Sequence, residues 1–223
     1  YDATLRLVGR YGYEDTNFSN QRSGNTYGAG FSWNPSLRTS FSGDYDDRPF
    51  ASTSSFRVSH RMPRVAMSAD YRRTLTNRAE QILSPSGAID LAESLALLEP
   101  FASESDPVER LRLIENFLRD NGLSRFQVAL SPILSDRQFL QTRWQVSATR
   151  TGVRNTVSLS YFRTESNSGI GGIGPAVGDD FALSPIIRQN GWTASYSHRV
   201  STDSSVNLSY TSSKSNGTSL SGL

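Results

Sequence analysis

Thr26-Tyr27-Gly28-Ala29-Gly30-Phe31-Ser32-Trp33-Asn34, closed by Pro35-Ser36-Leu37, is the stretch on which the fold turns. Tyr27, Ala29, Phe31 and Trp33 take one side of a period of two, and Thr26, Gly28, Gly30, Ser32 and Asn34 the other. Only an extended chain, whose successive side chains point to opposite faces, separates these two sets. Pro35 has no N–H to give to a ladder, so it marks the turn. Beyond it Phe41, Gly43 and Tyr45 oppose Arg38, Ser40, Ser42, Asp44 and Asp46. The unit is an antiparallel hairpin.

The same alternation recurs in segments of about ten residues, the length of a tilted strand crossing a bilayer. Upstream, Leu5, Leu7, Gly9, Tyr11 and Tyr13 face away from Arg6, Val8, Arg10, Gly12 and Glu14. Downstream, Phe56, Val58, His60 and Met62 oppose Ser55, Arg57, Ser59 and Arg61. After Met62-Pro63-Arg64, Val65, Met67, Ala69 and Tyr71 oppose Ala66, Ser68, Asp70 and Arg72. Leu140 to Thr149 is a sixth strand, Thr151-Gly152-Val153-Arg154 a turn, and strands through Val157–Tyr161, Trp192–Val200 and Val206–Tyr210 follow. About nine strands are visible. Tyr27 to Tyr45 superimposes without a gap on Trp192 to Tyr210, an internal repeat of one hairpin.

Of the 12 Trp and Tyr residues, all except Tyr1 fall in the apolar register. Tyr11, Tyr13, Tyr27, Trp33, Tyr45, Tyr71, Trp144, Tyr161, Trp192, Tyr196 and Tyr210 are therefore expected to form membrane girdles, the aromatic belts of a bilayer interface. The opposite register is rich in Ser, Thr, Gly and Arg, which a soluble sandwich does not need on strands of this length. Short turns after even-numbered strands and longer polar segments after odd-numbered ones match the two ends of an outer-membrane barrel. The expected fold is all-β: an antiparallel transmembrane β-barrel with a helical insert, read as an excerpt of a larger barrel. Its parts are barrel strands in 1–76, the insert in 77–137 and further strands in 138–223.

Within the insert, Asp106-Pro107-Val108-Glu109 combines a capping residue, a first-turn proline and a glutamate three after the cap. Val108, Leu111, Ile114 and Leu118 then predict an apolar stripe, and Asn121-Gly122 a stop. A weaker helical pattern runs from Ile89 to Leu98. By strand parity the insert either caps the barrel mouth or folds into the lumen. Gly169 to Gly178, with five glycines, reads as a mobile loop.

Composition restricts function. With 23 basic and 21 acidic residues the formal net charge is +2, too balanced for a nucleic-acid partner. One basic residue, Lys214, is a lysine, a bias that a GC-rich genome explains without function; the alternative is that arginine suits a crowded polar interior because its fork pairs with carboxylates or passing anions. There are no cysteines, so no thiolate metal site or disulfide is possible. No apolar run approaches the roughly 18 residues of a spanning helix, so any membrane crossing is by strands.

His60 and His198 both lie in the apolar register near short-turn ends, where an imidazole serves as an amphipathic interface group. Without cysteine or a facing carboxylate they assemble no ligand set. Asp44, Asp46 and Asp47 could suggest a rim protease or a calcium site, but no histidine shares their parity and the usual ligand loop is missing. No cofactor and no catalytic or metal residue is expected. The candidate lumen lining is Arg6, Arg10, Glu14, Arg38, Asp44, Asp46, Arg57, Arg61, Asp70, Arg72, Arg143 and Arg199. It reads as a mutually satisfied network, favoured because many lumen charges pair with each other, or as a pore wall favouring anionic or sugar solutes.

Three strings, Asn25-Thr26-Tyr27-Gly28-Ala29-Gly30-Phe31-Ser32-Trp33, Thr151-Gly152-Val153-Arg154-Asn155-Thr156-Val157-Ser158-Leu159-Ser160 and Ala194-Ser195-Tyr196-Ser197-His198-Arg199, together resemble the outer-membrane proteins associated with PEP-CTERM/exosortase systems. The likeness extends over most of the chain, including Asp106-Pro107 with Arg110 and Gly122-Leu123. The resemblance implies a barrel of the bacterial outer membrane linked to polysaccharide secretion or surface assembly, in a family without established catalytic residues; the leading expectation is a non-enzymatic, porin-like component of exopolysaccharide export or surface assembly, with lipid, polysaccharide and an export complex as partners. A closed structural or adhesin-like barrel acting through its insert is the alternative, and a rim-sited hydrolase the third.

Overall fold

The computed structural model describes residues 3–15, 23–49, 51–76, 88–128, 133, 139–168, 180–182, 184–201 and 204–218. Nine strands form one sheet: β1 (Thr4–Glu14), β2 (Gly24–Ser36), β3 (Thr39–Asp47), β4 (Ser52–Met62), β5 (Val65–Thr76), β8 (Phe139–Thr151), β9 (Asn155–Asn167), β10 (Ile186–Arg199) and β11 (Ser205–Thr218). Each pairs antiparallel with its neighbours in chain order. Between β5 and β8 lie β6 (Ala88–Asp90), α1 (Leu91–Leu95), a 3-10 turn at Phe101–Ser103, α2 (Pro107–Asp120) and β7 (Phe126–Val128), with β6 and β7 paired as a two-stranded ribbon. No described helix is long and apolar enough to cross a membrane, which says nothing about strands.

The sheet is open, with β1 and β11 at its edges. Along an antiparallel series of nine, the first and last strands run the same way. Joining β1 to β11 directly would therefore create a parallel pair, and an all-antiparallel closure needs an odd number of further strands.

On β9 and β10 the buried face of the sheet is the polar one. Along β9 exposure alternates residue by residue, and the buried positions are Thr156, Ser158, Ser160, Phe162, Thr164 and Ser166. Their neighbours Val157, Leu159 and Tyr161 are exposed, Leu159 by 52% against 1% for Ser160. In water the hydrophobic effect drives the opposite choice.

The hairpin repeat extends to register. Tyr27 opposes Asp47 and Ala29 opposes Tyr45; at the equivalent positions Trp192 opposes Ser212 and Ala194 opposes Tyr210. Two expectations need correction. The β3–β4 connection is only residues 48–51, because β4 begins at Ser52, so one of the four expected long segments is short. The last three strands are also longer than the alternation indicates: β10 starts at Ile186, where consecutive isoleucines break the period because Ile187 packs with Ile133, Phe139 and Phe181.

The insert is built around Leu91, Leu95, Leu98, Phe101, Ile114 and Leu118. Asp90 accepts a hydrogen bond from the Ala92 N–H and Asp106 one from Val108, capping both helices as their side-chain oxygens allow. Gly122 follows α2 with φ +62°, the left-handed conformation glycine adopts without penalty. The expected stripe on α2 holds only in its second half. Ile114 and Leu118 are buried, whereas Val108 is 77% exposed at the first turn. Ile89 belongs to β6, not to a helix, and α1 is one short turn.

Candidate functional site on the polar face

The polar face carries two ion clusters on the β1–β5 half. Arg10 Nε donates to Asp46 Oδ1 at 3.2 Å and its Nη2 to Asp44 Oδ1 at 3.1 Å, spanning β2 to reach β3. Gly28 and Gly30 permit this crossing. A Cβ at Gly28 would stand 2.3 Å from Asp46 Oδ1, and one at Gly30 2.6 Å from Asp44 Oδ1. The glycines of β2 are thus the floor of an ion cluster. This is the expected partner for the acidic residues of β3, except that Asp47 falls in the other register and faces away from Arg10.

In the second cluster Arg57 donates to Asp70, directly opposite on β5, and its Nη2 reaches Glu93 of α1 at 3.1 Å. Arg72 and Arg143 oppose each other across β5 and β8, a like-charge pair that costs energy in a sheet unless carboxylates stand near. Asp70, two residues along β5 from Arg72, and Glu93 supply that charge. Arg143 Nη2 also donates to Gln145 at 2.7 Å.

On β8–β10 the polar face changes character. Ser147, Thr149, Thr156, Ser158, Ser160, Thr193, Ser195 and Ser197 are small hydroxyls, all buried. Their size leaves room for the insert. Ser94 of α1 meets Ser147 (3.4 Å), Gln127 of β7 donates to Ser195 (2.9 Å), and Ser197 donates to the Asn121 carbonyl (2.9 Å). Glu99 lies 3.7 Å from Arg61. Ala66 of β5 is 1% exposed and joins the leucine cluster of the insert. Gly122 abuts Asn207 and Ser205 of β11. The insert leaves β5 and rejoins β8 at their long-loop ends, yet Arg61, Ala66, Ser197 and Ser205 all sit beside short turns. It therefore extends down the polar face nearly to the opposite end.

The insert's own charges brace it. Arg125 Nη2 and Asp90 are 3.0 Å apart, and Nη1 reaches Glu115 at 3.1 Å. The hydrogen bond that Arg125 donates to Asp90, together with the carboxylate's charge, holds the Arg125 guanidinium protonated beyond its ordinary range despite some desolvation. At the exposed first turn of α2, a hydrogen bond from Arg112 holds the Glu109 carboxyl below the usual carboxylate range.

On the apolar face the tyrosines and tryptophans are arranged in order, all exposed except the half-buried Tyr71. Tyr11 opposes Tyr27; Tyr45 lies two residues nearer the short turns than the partner of Tyr27; Tyr71, opposed by Trp144, is two lower again. Tyr161 with Trp192 is two lower than the partner of Trp144, and Tyr210 two lower than the partner of Trp192. Near the short turns Trp33 stacks on Phe41 at 5.2 Å and Tyr196 lies parallel to His198. His60 Nδ1 bonds Thr39 at 2.9 Å and His198 bonds Asn155, so both imidazoles occupy the apolar face with neutral partners. Among the described residues no group of His, Asp and Glu could hold a metal.

Of the candidate lining residues, Arg6, Arg10, Glu14, Asp44, Asp46, Arg57, Arg61, Asp70, Arg72, Arg143 and Arg199 share the polar register. Arg38 does not belong to the wall: it sits in the two-residue turn between β2 and β3, its N–H on Ser36 Oγ. Gly169 to Gly178 lies outside the described residues. The seat of the insert, Ser94, Asn121, Gln127, Ser147, Ser195 and Ser197, escapes sequence reading because its partners are far apart in the chain. The one available signal is the switch from long arginines on β1–β5 to small hydroxyls on β8–β10. Comparison with known proteins finds no matching family model, no matching curated protein and no matching solved structure.

Proposed function

We propose that this sheet is the wall of a transmembrane β-barrel in a bacterial outer membrane, forming a porin-like, non-enzymatic conduit in which the insert is a plug. The observation that carries the reading is the inverted burial on β8–β10: small hydroxyls buried, Leu, Val, Tyr and Trp exposed. A contiguous apolar face of this extent is unfavourable in water and favourable in hydrocarbon.

The aromatic girdle supports it quantitatively. Between β1 and β11 the ring steps down eight residues over eight strand-to-strand steps. With a rise of about 3.3 Å per residue and a strand spacing of about 4.8 Å, a level ring requires strands tilted by roughly 35°, within the range of membrane barrels. A soluble sheet has no reason to keep its aromatics on one inclined line.

The resemblance to PEP-CTERM/exosortase-associated proteins assigns the cargo to exopolysaccharide, with an export complex as partner. Arginines and hydroxyls on the polar face suit an anionic or sugar solute. The test is planar-bilayer conductance of the full-length protein with and without residues 77–137. Conductance that rises on deletion is expected. Folded protein silent in both forms would refute the conduit and favour a closed structural barrel, for which the many contacts between the insert and the wall already speak.

A further inference from the structure

The apolar face is not uniformly apolar beyond the girdle. On the long-loop side Arg73 and Arg163 lie two residues past Tyr71 and Tyr161, and Arg188 and Lys214 four past Trp192 and Tyr210, all in the outward register. Arg163, Asn190 and Lys214 form one cross-strand row, with Arg188 diagonal to Arg163. The equivalent positions on β1–β4 are Tyr13, Asn25, Asp47, Ser52 and Ser54, without a cation. The positive charge is thus confined to β5–β11.

Its partners do not neutralise it. Glu165 takes Arg188 at 2.8 Å. Among the described residues Arg163 and Lys214 have no carboxylate partner, and both are exposed. Arg73 Nε is buried without a hydrogen-bond acceptor. At about 3.3 Å per residue and roughly 35° of tilt, these groups stand about 5–11 Å beyond the aromatic ring, the depth of lipid headgroups.

We propose that this outer face of β5–β11 binds the phosphate of an anionic lipid headgroup, with Arg163 and Lys214 as its ligands, Asn190 donating between them and Arg73 and Arg188 flanking. The inference rests on the transmembrane reading. Cations in the lipid-facing register at phosphate depth find their countercharge in the leaflet, and a planar guanidinium matches phosphate oxygens two at a time. Arg150, on the same face at the short-turn end, is the built-in control.

The test uses the full-length protein in phosphatidylcholine vesicles doped with diphosphoryl lipid A or its dephosphorylated form. Quenching of Trp144 and Trp192 by brominated lipid reports insertion, and native mass spectrometry after detergent extraction counts retained lipid A. Wild type should retain diphosphoryl lipid A selectively, and millimolar inorganic phosphate should not displace it. The R163S/K214S double variant should retain about thirtyfold less, two basic side chains each contributing roughly fivefold at a membrane surface, and R150S should match wild type. Unquenched tryptophans would overturn the transmembrane reading itself. Quenched protein that keeps both lipid A forms equally, or a folded double variant that retains like wild type, would overturn only the phosphate site. If the double variant does not fold, the comparison of the two lipid A forms on wild type decides.

Discussion

Ala66→Lys is the substitution that separates wall from plug. Ala66 belongs to the wall, but its 1% exposed methyl packs among Leu91, Ala92, Leu95 and Leu98 of the insert. Among the described residues, the polar contacts that hold the insert down are three neutral hydrogen bonds, at Ser147, Ser195 and Ser197, and two ion pairs, Arg57–Glu93 and Arg61–Glu99, with half-exposed partners. At about 0.5–1.5 kcal/mol for each hydrogen bond and about 0–1 for each ion pair, the middle of these ranges gives docking about 4 kcal/mol of polar support. An ammonium forced among the leucines costs several kcal/mol unless it is paired. Arg61, directly opposite Ala66, presents a like charge, which is why lysine is the better choice: a glutamate there would find a partner. The cost matches or exceeds the support, so most molecules should carry an undocked insert within an intact wall. Conductance should approach that of the 77–137 deletion, and trypsin should cleave the arginines of α2 faster. A folded Ala66→Lys protein with wild-type conductance and wild-type cleavage would refute the account of the insert as a plug seated on this face.

Replacing Arg57 and Arg143 with glutamate should shift reversal potentials in a salt gradient towards cation selectivity; unchanged selectivity would remove them from any conducting path. Gly28→Val places a side chain where Arg10 crosses to Asp46, and the overpacking should cost about 1–3 kcal/mol, read as a lowered urea midpoint in folding experiments. Gly9→Val, where a Cβ meets nothing within 4 Å, should cost much less. Because Glu109 is held below the usual carboxylate range, its contribution to α2 is complete above that range and lost as pH falls through its lowered value. The protection factors of the α2 amides, with exchange referred to the intrinsic rate at each pH, should therefore fall at acid pH in wild type, and Glu109→Gln should flatten that acid limb while behaving similarly at low pH.

The antiparallel strands were legible in the sequence because a strand's side-chain period is two and the apolar residues keep to one of the two registers. Most strand residues, from Leu5 on β1 to Tyr210 on β11, therefore declared their side locally, as did the repeat of the Tyr27–Tyr45 hairpin at Trp192–Tyr210. Local text also announced α2, since Asp106, Pro107 and Gly122 act within a turn of the positions they cap. Alternation failed where burial stopped following parity: at Ile186-Ile187, where a loop-side apolar cluster takes the inward residue, and at Val108, which the helical stripe includes but no neighbour covers. What only the tertiary structure decided is where the insert goes. Its seat joins residues dozens of positions apart, Ser94 to Ser147 and Asn121 to Ser197, through single neutral hydrogen bonds that leave no periodicity or charge pattern in the chain. The level of the girdle and the cations beyond it likewise depend on strand register, because the stagger that turns scattered tyrosines into one ring is a relation between strands and exists only once they are paired.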